Sequence, residues 1–221
     1  MTGSAPRSDP RLSTAQFFAL AQARLSLDGP EALTDPHFIP RLDDADPELI
    51  AAIAATRPIR TAAVLVPIIA RAEPTVLFTQ RTSYLSDHAG EISFPGGKIE
   101  AADISPAAAA LREAEEEVSL DRRFVEPMGY LDVQLTPTGY RILPVLARVQ
   151  EGFSLNFNRG EVNDTFEAPL ALLMAPHNHR REIAEWNGLS TSVYAIWFND
   201  RKIWGVTAGI LRNLWERLYR D

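Results

Sequence analysis

The sequence predicts a mixed α/β fold, in which one mixed β-sheet lies between helices, over a core domain at 58–221 behind an N-terminal extension at 1–57. Three observations predict it. Short runs rich in β-branched and apolar residues, TAAVLVPII and PTVLFTQR, flank the polar turn ARAEP and read as neighbouring strands. Amphipathic segments with helix start signals lie between and after the strands. Strands and helices follow one another without regular βαβ alternation, which disfavours a doubly wound sheet. At 221 residues, 46% hydrophobic and 23% charged, the chain has an ordinary globular composition and enough length for one substantial core.

The residues through Pro10 are rich in Ser, Pro, Gly and charge and predict disorder. In STAQFFALAQARLS the apolar positions Phe17, Phe18, Leu20, Ala21 and Leu25 suit an amphipathic helix that packs on the core or on a second copy, so a homodimer is among the expectations. DGPEALTDPHFIPRLDDADP reads as an extended connector leading to a short Ala-rich helix from Pro47 to Ala55. After the two strands from Arg60, EISFPGG gives a short strand ended by Pro95, Gly96 and Gly97, and a helix begins near Ser105. Further strands are expected at Met128 to Val133, Ile142 to Val149 and Thr165 to Phe166, followed by the helical ALALLM. VYAIWF is apolar enough for a central strand, and TAGILRNLWERLYR makes a C-terminal amphipathic helix.

The formal net charge of −7 argues against a broad basic surface for nucleic acid but leaves room for a local phosphate pocket. The chain has no cysteine, so any metal must sit on oxygen or imidazole. No apolar stretch approaches the length of a membrane span and no apolar run follows a basic start, so a cytoplasmic location is expected.

DISPAAAALREAEEEVSL carries the strongest helix punctuation in the chain: Ser105 as N-cap and Pro106 at the first helical position. At ~100° per residue, Glu116 and Glu117 fall within about 60° on either side of Glu113. Ala107, Ala110, Leu111, Ala114 and Val118 sweep the adjoining arc. Like charges at these spacings repel by a few tenths of a kcal/mol (~0.2–0.5) per pair, and a hard divalent cation would relieve that repulsion. A bare EAEEE run by itself reads rather as a solvated acidic face. FPGGKIEAAD upstream tips the balance, because its Gly-Gly turn lets backbone approach a ligand without a Cβ in the way.

From Gly97 through Arg112, Glu113, Glu116 and Glu117 to Leu120, the stretch GGKIEAADISPAAAALREAEEEVSL resembles the Nudix box. Three positions depart from the usual pattern: one extra residue separates the glycine from the Arg-Glu pair, Asp103 stands where most boxes have Glu, and Ser119 replaces a late glycine. The extra residue and the Asp resemble the coenzyme A pyrophosphatase subgroup. So does LFTQRTSYLSDHAGEISFPGG, in which Leu77, Thr79, Arg81, Gly90, Phe94, Pro95, Gly96 and Gly97 match while Ser86 and Thr82 depart; IWGVTAGIL is a third similarity.

The resemblance implies an α/β/α sandwich around a mixed sheet, and hydrolysis of the pyrophosphate of coenzyme A or a derivative to adenosine 3′,5′-bisphosphate and a 4′-phosphopantetheine product. The cofactor would be Mg2+ or Mn2+. It further implies Glu113, Glu116, Glu117 and a carbonyl of Gly96 or Gly97 as metal ligands, Glu113 also as a residue that orients water, and Arg112 as the holder of a glutamate. Glu161 is a candidate additional carboxylate that also reads as a solvated loop residue. Arg81, Arg60, Gly96 and His88 are candidate substrate contacts; Arg81 alone reads equally as a strand-end surface arginine, and His88 as a hydrogen-bonded structural histidine. His177 and His179 are expected on an exposed loop, and Trp197 and Trp204 in the core. The competing readings are a Nudix activity on ADP-ribose, NADH or a nucleoside triphosphate, and a non-catalytic ligand-sensing Nudix domain.

Overall fold

The computed structural model describes residues 13–35, 38, 47–49, 51, 60–82, 90–136, 138–186 and 188–220. The expected disordered start, most of the expected helix at 47–55, and the loop bearing Ser86 and His88 lie outside the described residues. The elements are α1 (Thr14–Arg24), β1 (Arg60–Ile69), β2 (Thr75–Arg81), β3 (Ile92–Ser93), β4 (Gly96–Lys98), α2 (Pro106–Val118), β5 (Val125–Tyr130), β6 (Gln134–Leu135) and β7 (Tyr140–Val149). They continue with β8 (Val162–Pro169), α3 (Leu170–Leu173), β9 (Arg180–Trp186), β10 (Leu189–Phe198), β11 (Arg201–Trp204) and α4 (Gly205–Tyr219).

The expected mixed sheet is present: eight strands, in which β1 and β7 run parallel side by side from Arg60↔Tyr140 to Ile69↔Val149 and the other pairings are antiparallel. Their position in the middle explains the continuous apolar runs, since a strand covered on both faces has no solvent side to make polar. Alternate residues go to opposite layers. Val66 and Ile68 of β1 pack with α1, α4 and Leu146 of β7, whereas Ala63, Leu65 and Ile69 pack with the alanines of α2 and with Leu143, Val145 and Ala147. The result is an α/β/α sandwich in which α2 covers one side and α1 and α4 the other.

The extension is docked on this core. Ser13 caps α1 in a reciprocal capping box with Gln16, and Phe17, Phe18, Ala21 and Leu25 are buried in the same cluster as α4. Two buried phenylalanines contribute roughly 2–3 kcal/mol each. At the far end of α1 a Cβ on Gly129 would come within 2.5 Å of Leu25 Cβ, so the glycine allows the chain to close in and Tyr130 N–H to bond Ser26 O at 2.8 Å. The apolar face of α1, from which a second copy was expected, is therefore taken up by the chain's own core. The connector is clamped as well: the buried Arg141 guanidinium donates to the carbonyls of Ala32, Asp35 and Phe38.

Two features were not anticipated and two expectations are corrected. VYAIWF is a central strand as expected, β10, but of a separate three-stranded sheet ordered β11-β10-β9 among the described residues. β9 itself was unanticipated, because RREIAEW has neither the apolar density nor the strict alternation of a half-buried strand. His179 is buried, not on an exposed loop; its Nε2 lies 2.6 Å from Leu173 O, and burial lowers its pKa. Trp197 and Trp204 are 46% and 37% exposed, with Lys202 Nζ 6.0 and 5.7 Å from their ring centroids, because they stand on the outer face of the small sheet. Among the described residues no helix is long and apolar enough to cross a membrane.

Candidate active site

The acidic helix starts as its sequence requires: Ser105 Oγ accepts from Ala108 N–H at 3.1 Å and Pro106 opens the first turn. Ala107, Ala110, Ala114 and Val118 are buried against the sheet, so the carboxylate arc beside them is turned toward β4. β4 carries the two glycines and pairs antiparallel with β1, Gly97 opposite Ala63 and Gly96 opposite Val64.

The close approach of strand and helix is what makes both glycines necessary. An added Cβ at Gly96 would sit 2.4 Å from Ala63 O and 2.6 Å from Val64 Cα; at Gly97 it would sit 2.5 Å from the Glu113 carboxyl carbon. Gly96 N–H donates to Glu117 Oε2 at 3.2 Å. Glu117 is 5% exposed, and burial pushes its carboxyl up to about 8, the Gly96 hydrogen bond and nearby Arg81 opposing while Glu113 and Glu161 reinforce. Glu113 is also raised, chiefly by burial against the pull of Arg112, with Glu116 and Glu161 adding to the rise. The glutamates thus form one electrostatic cluster whose negative charge is incompletely matched by protein.

Arg112 is the hub that arranges them. Its Nε and Nη2 form a two-pronged pair with Asp103 (3.1 and 3.1 Å), Nη2 also donates to Lys98 O at 3.0 Å, and Nη1 reaches Glu113 at 2.9 Å and Glu116 at 3.2 Å. Glu116 is the outermost member, with its side chain 60% exposed. Glu115 faces away and is taken by Arg122. Among the described residues no group of three acidic or histidine side chains is set closely enough to hold a metal ion unaided: Glu113 and Glu116 are turned onto Arg112, and Glu161 onto Asn158.

Glu161 reaches the cluster from the loop before β8. Asn158 holds it there: its N–H donates to Glu117 O at 2.8 Å, its side-chain Nδ2 donates to Glu161 Oε1 at 3.0 Å, and its carbonyl accepts from Glu161 N–H at 3.0 Å. Ser119, the departure from the usual glycine, adopts the left-handed C-cap at φ 55° and its Oγ donates to Asn156 O at 2.8 Å. The serine thus tolerates the backbone that a glycine normally supplies and ties the same loop to the helix end. Asn158→Ala should lower turnover by roughly 10- to 100-fold, as loss of an orienting partner does, while thermal unfolding shows the fold intact.

Arg81, at the end of β2, has its Nε buried with no hydrogen-bond partner among the described residues, and its charge acts on Glu117. Its neighbour Thr82 donates its N–H to Glu161 O at 3.1 Å. Gly96, Gly97, Arg81, Arg112, Glu113, Glu116, Glu117 and Glu161 are therefore gathered in one place. Arg60 is not among them: its guanidinium lies 4.4 Å over the Tyr140 ring and bonds Thr138 O. Asp103 and Asn158 went unassigned in the sequence. Asp103 showed only as a deviation from a pattern, and Asn158 only as the Asn-x-Gly of a turn.

A family model described as the NUDIX domain matches residues 59–200. The chain belongs to the Nudix family. It is 42% identical over 156 residues, 70% of this chain and 81% of the relative, to proteins named uncharacterized Nudix hydrolase NudL in Escherichia coli K12 and Shigella boydii. Among solved structures it is similar to the Nudix domain of Shewanella oneidensis NrtR complexed with ADP ribose (19% identity, 57% of this chain and 79% of that one, TM-score 0.41). Another is a C. elegans Ap4A hydrolase binary complex (17% identity, 49% and 79%, TM-score 0.43). The Nudix box of this chain is the Gly97–Leu120 stretch, with its Arg112 and its three glutamates at one end of the sheet.

Proposed function

We propose that this Nudix chain is a cytoplasmic hydrolase of a nucleoside diphosphate derivative, that the derivative is coenzyme A or one of its thioesters or disulfides, and that it works with Mg2+ or Mn2+. The observation that carries the reading is the buried Glu117 carboxylate, bonded to Gly96 N–H and flanked by Glu113, Glu161 and Arg81, whose buried Nε has no partner among the described residues. That is an all-oxygen donor set with excess negative charge beside a guanidinium, which suits a hard divalent cation and a diphosphate together.

Glu113, Glu116 and Glu117 would hold the cation, with a carbonyl of the Gly96–Gly97 turn. When bound, the cation supplies neutralisation of charge on the diphosphate oxygens and acidifies water. Arg112 keeps Glu113 and Glu116 oriented, and Arg81 donates to a phosphate oxygen. Glu161 or Glu113 accepts the proton as water attacks one phosphorus; the bridging P–O bond breaks, and the products are adenosine 3′,5′-bisphosphate and the 4′-phosphopantetheine compound.

The choice of coenzyme A rests on the run from LFTQR to FPGG. Its two ends support each other across β2 and β3, where Thr79 faces Ser93 (Oγ1 to Oγ 3.0 Å) and Gln80 faces Ile92. Comparing kcat/KM on coenzyme A, ADP-ribose and NADH with Mg2+ tests it. Coenzyme A is expected to lead by at least roughly tenfold, about 1.4 kcal/mol of transition-state binding. Equal or higher values on another substrate overturn the coenzyme A assignment, and no turnover on any diphosphate overturns the hydrolase.

A further inference from the structure

The outer edge of the small sheet is the strand β9. β9 bonds β10 without a register break, from Arg180↔Ala195 to Trp186↔Leu189. The order β11-β10-β9 leaves its other side unpaired among the described residues. An edge of this length exposes a row of main-chain donors and acceptors, and edges are commonly blunted by a bulge, a proline or an inward lysine. RREIAEW has no proline or lysine and pairs with β10 without a bulge; its guard is charge, at Arg180, Arg181, Glu182 and Glu185. It presents Ile183 at 79% exposure, the second most exposed large apolar residue among those described, at the centre of the strand.

The charges around Ile183 choose a partner. When the strand is laid antiparallel against a copy of itself with Ile183 opposite Ile183, Arg181 comes opposite Glu185 of the copy, Glu185 opposite Arg181, and Glu182 opposite Ala184. Arg181, Ile183 and Glu185 share one face, since alternate residues of a strand do. Each of these pairs is therefore a direct same-face neighbour. Parallel pairing in register would set Arg181 against Arg181 and Glu185 against Glu185, which repel. Arg181 is already extended along this face: its Nε donates to Ser192 Oγ at 2.9 Å, and its guanidinium lies 5.5 Å from the Tyr194 ring centroid. Ser192 is the residue across β10 from Ile183.

We propose that β9 is the pairing edge of a two-fold homodimer, in which two copies of this chain join their three-stranded sheets into one through Ile183 and two reciprocal Arg181–Glu185 pairs. A two-fold axis through Ile183 makes the contact isologous and closed, so pairing stops at two copies. A single strand pair is smaller than the interface of a permanent dimer. The association is accordingly weak, concentration-dependent and weakened by salt. It is independent of the catalytic reading, because none of these residues belongs to the glutamate site.

Sedimentation equilibrium of the full chain across micromolar to submillimolar concentration reads the result. The wild type is expected to pass from monomer to dimer. Arg181→Glu alone and Glu185→Arg alone should each weaken dimerisation roughly tenfold or more, and the two together should restore it. Since the chain has no cysteine, Ile183→Cys introduces a single thiol beside its own symmetry mate. Mild oxidation should cross-link it to a dimer, less so with Arg181→Glu added and again fully with both reversals. A wild type that stays monomeric throughout, single reversals that leave the dimer unchanged, or a double reversal no better than either single one each overturns the proposal. Unchanged turnover in the variants reports that they are folded.

Discussion

Glu117→Gln should cost turnover roughly a thousandfold, about 4 kcal/mol of transition-state stabilisation, while making the cation-free protein more stable. The two effects have one cause. Glu117 is buried with its carboxyl raised from the ordinary glutamate range to about 8, so the folded state binds its proton more tightly than the unfolded chain does. Below pH ~4.5 both states are protonated and the residue costs nothing. As pH rises toward 8 the unfolded chain ionises first, and stability falls across that window by an amount on the order of 3 kcal/mol. Glutamine keeps the shape and still accepts from Gly96 N–H, but has no charge to bury. Denaturant unfolding at pH 5 and pH 8 in a chelator should therefore show a pH-dependent loss in the wild type that is much smaller in Glu117→Gln, where only the raised Glu113 carboxyl still contributes to it. Adding Mg2+ should restore wild-type stability at pH 8 and leave the variant nearly unaffected. An active variant, or a wild type whose cation-free stability rises over this window, would contradict the role given to Glu117.

The two glycines of β4 should fail in different ways. At Gly97 the atoms that an added Cβ meets belong to the end of the Glu113 side chain. Gly97→Ala displaces that carboxylate and its bond with Arg112, and is expected to lower turnover about 100-fold or more, with a stability change under about 1 kcal/mol. At Gly96 the obstacle is main chain, Ala63 O at 2.4 Å and Val64 Cα at 2.6 Å, and main chain in the central strand of the sheet cannot step aside. Gly96→Ala should cost roughly 3 kcal/mol or more, by prising β4 from β1 and drawing the main-chain N–H of residue 96 away from Glu117. Thermal melts with kcat on the same samples separate the two. Equal losses of stability would mean that the strand and helix are not held as closely as these contacts require.

How much of this was legible beforehand varied with the range of the interaction. Ser105 and Pro106 announced the start of α2, and 3.6-residue periodicity put Glu113, Glu116 and Glu117 beside an alanine face, because capping and helical phase are local properties. Asp103 and Asn158 were not legible. Asp103 acts through Arg112, nine residues later in the chain and adjacent only once the loop folds back, and Asn158 bonds Glu117 O from the far side of β7. Arg81 and Arg60 looked alike as strand-end arginines, and only packing separates them: one is half-buried with its charge acting on Glu117, while the other lies over Tyr140.

The sequence by itself determined the mixed sheet, the acidic helix and the glycine turn that meets it, since each is written in periodicity, capping residues and the demand for a missing Cβ. The tertiary structure alone decided three other things. It buried Phe17 and Phe18 in the chain's own core, it left Trp197 and Trp204 outside, and it made RREIAEW a strand with an open edge. The physical reason is that whether an apolar side chain is buried depends on what covers it. For these residues the covering layer, or its absence, is supplied by elements distant in the chain.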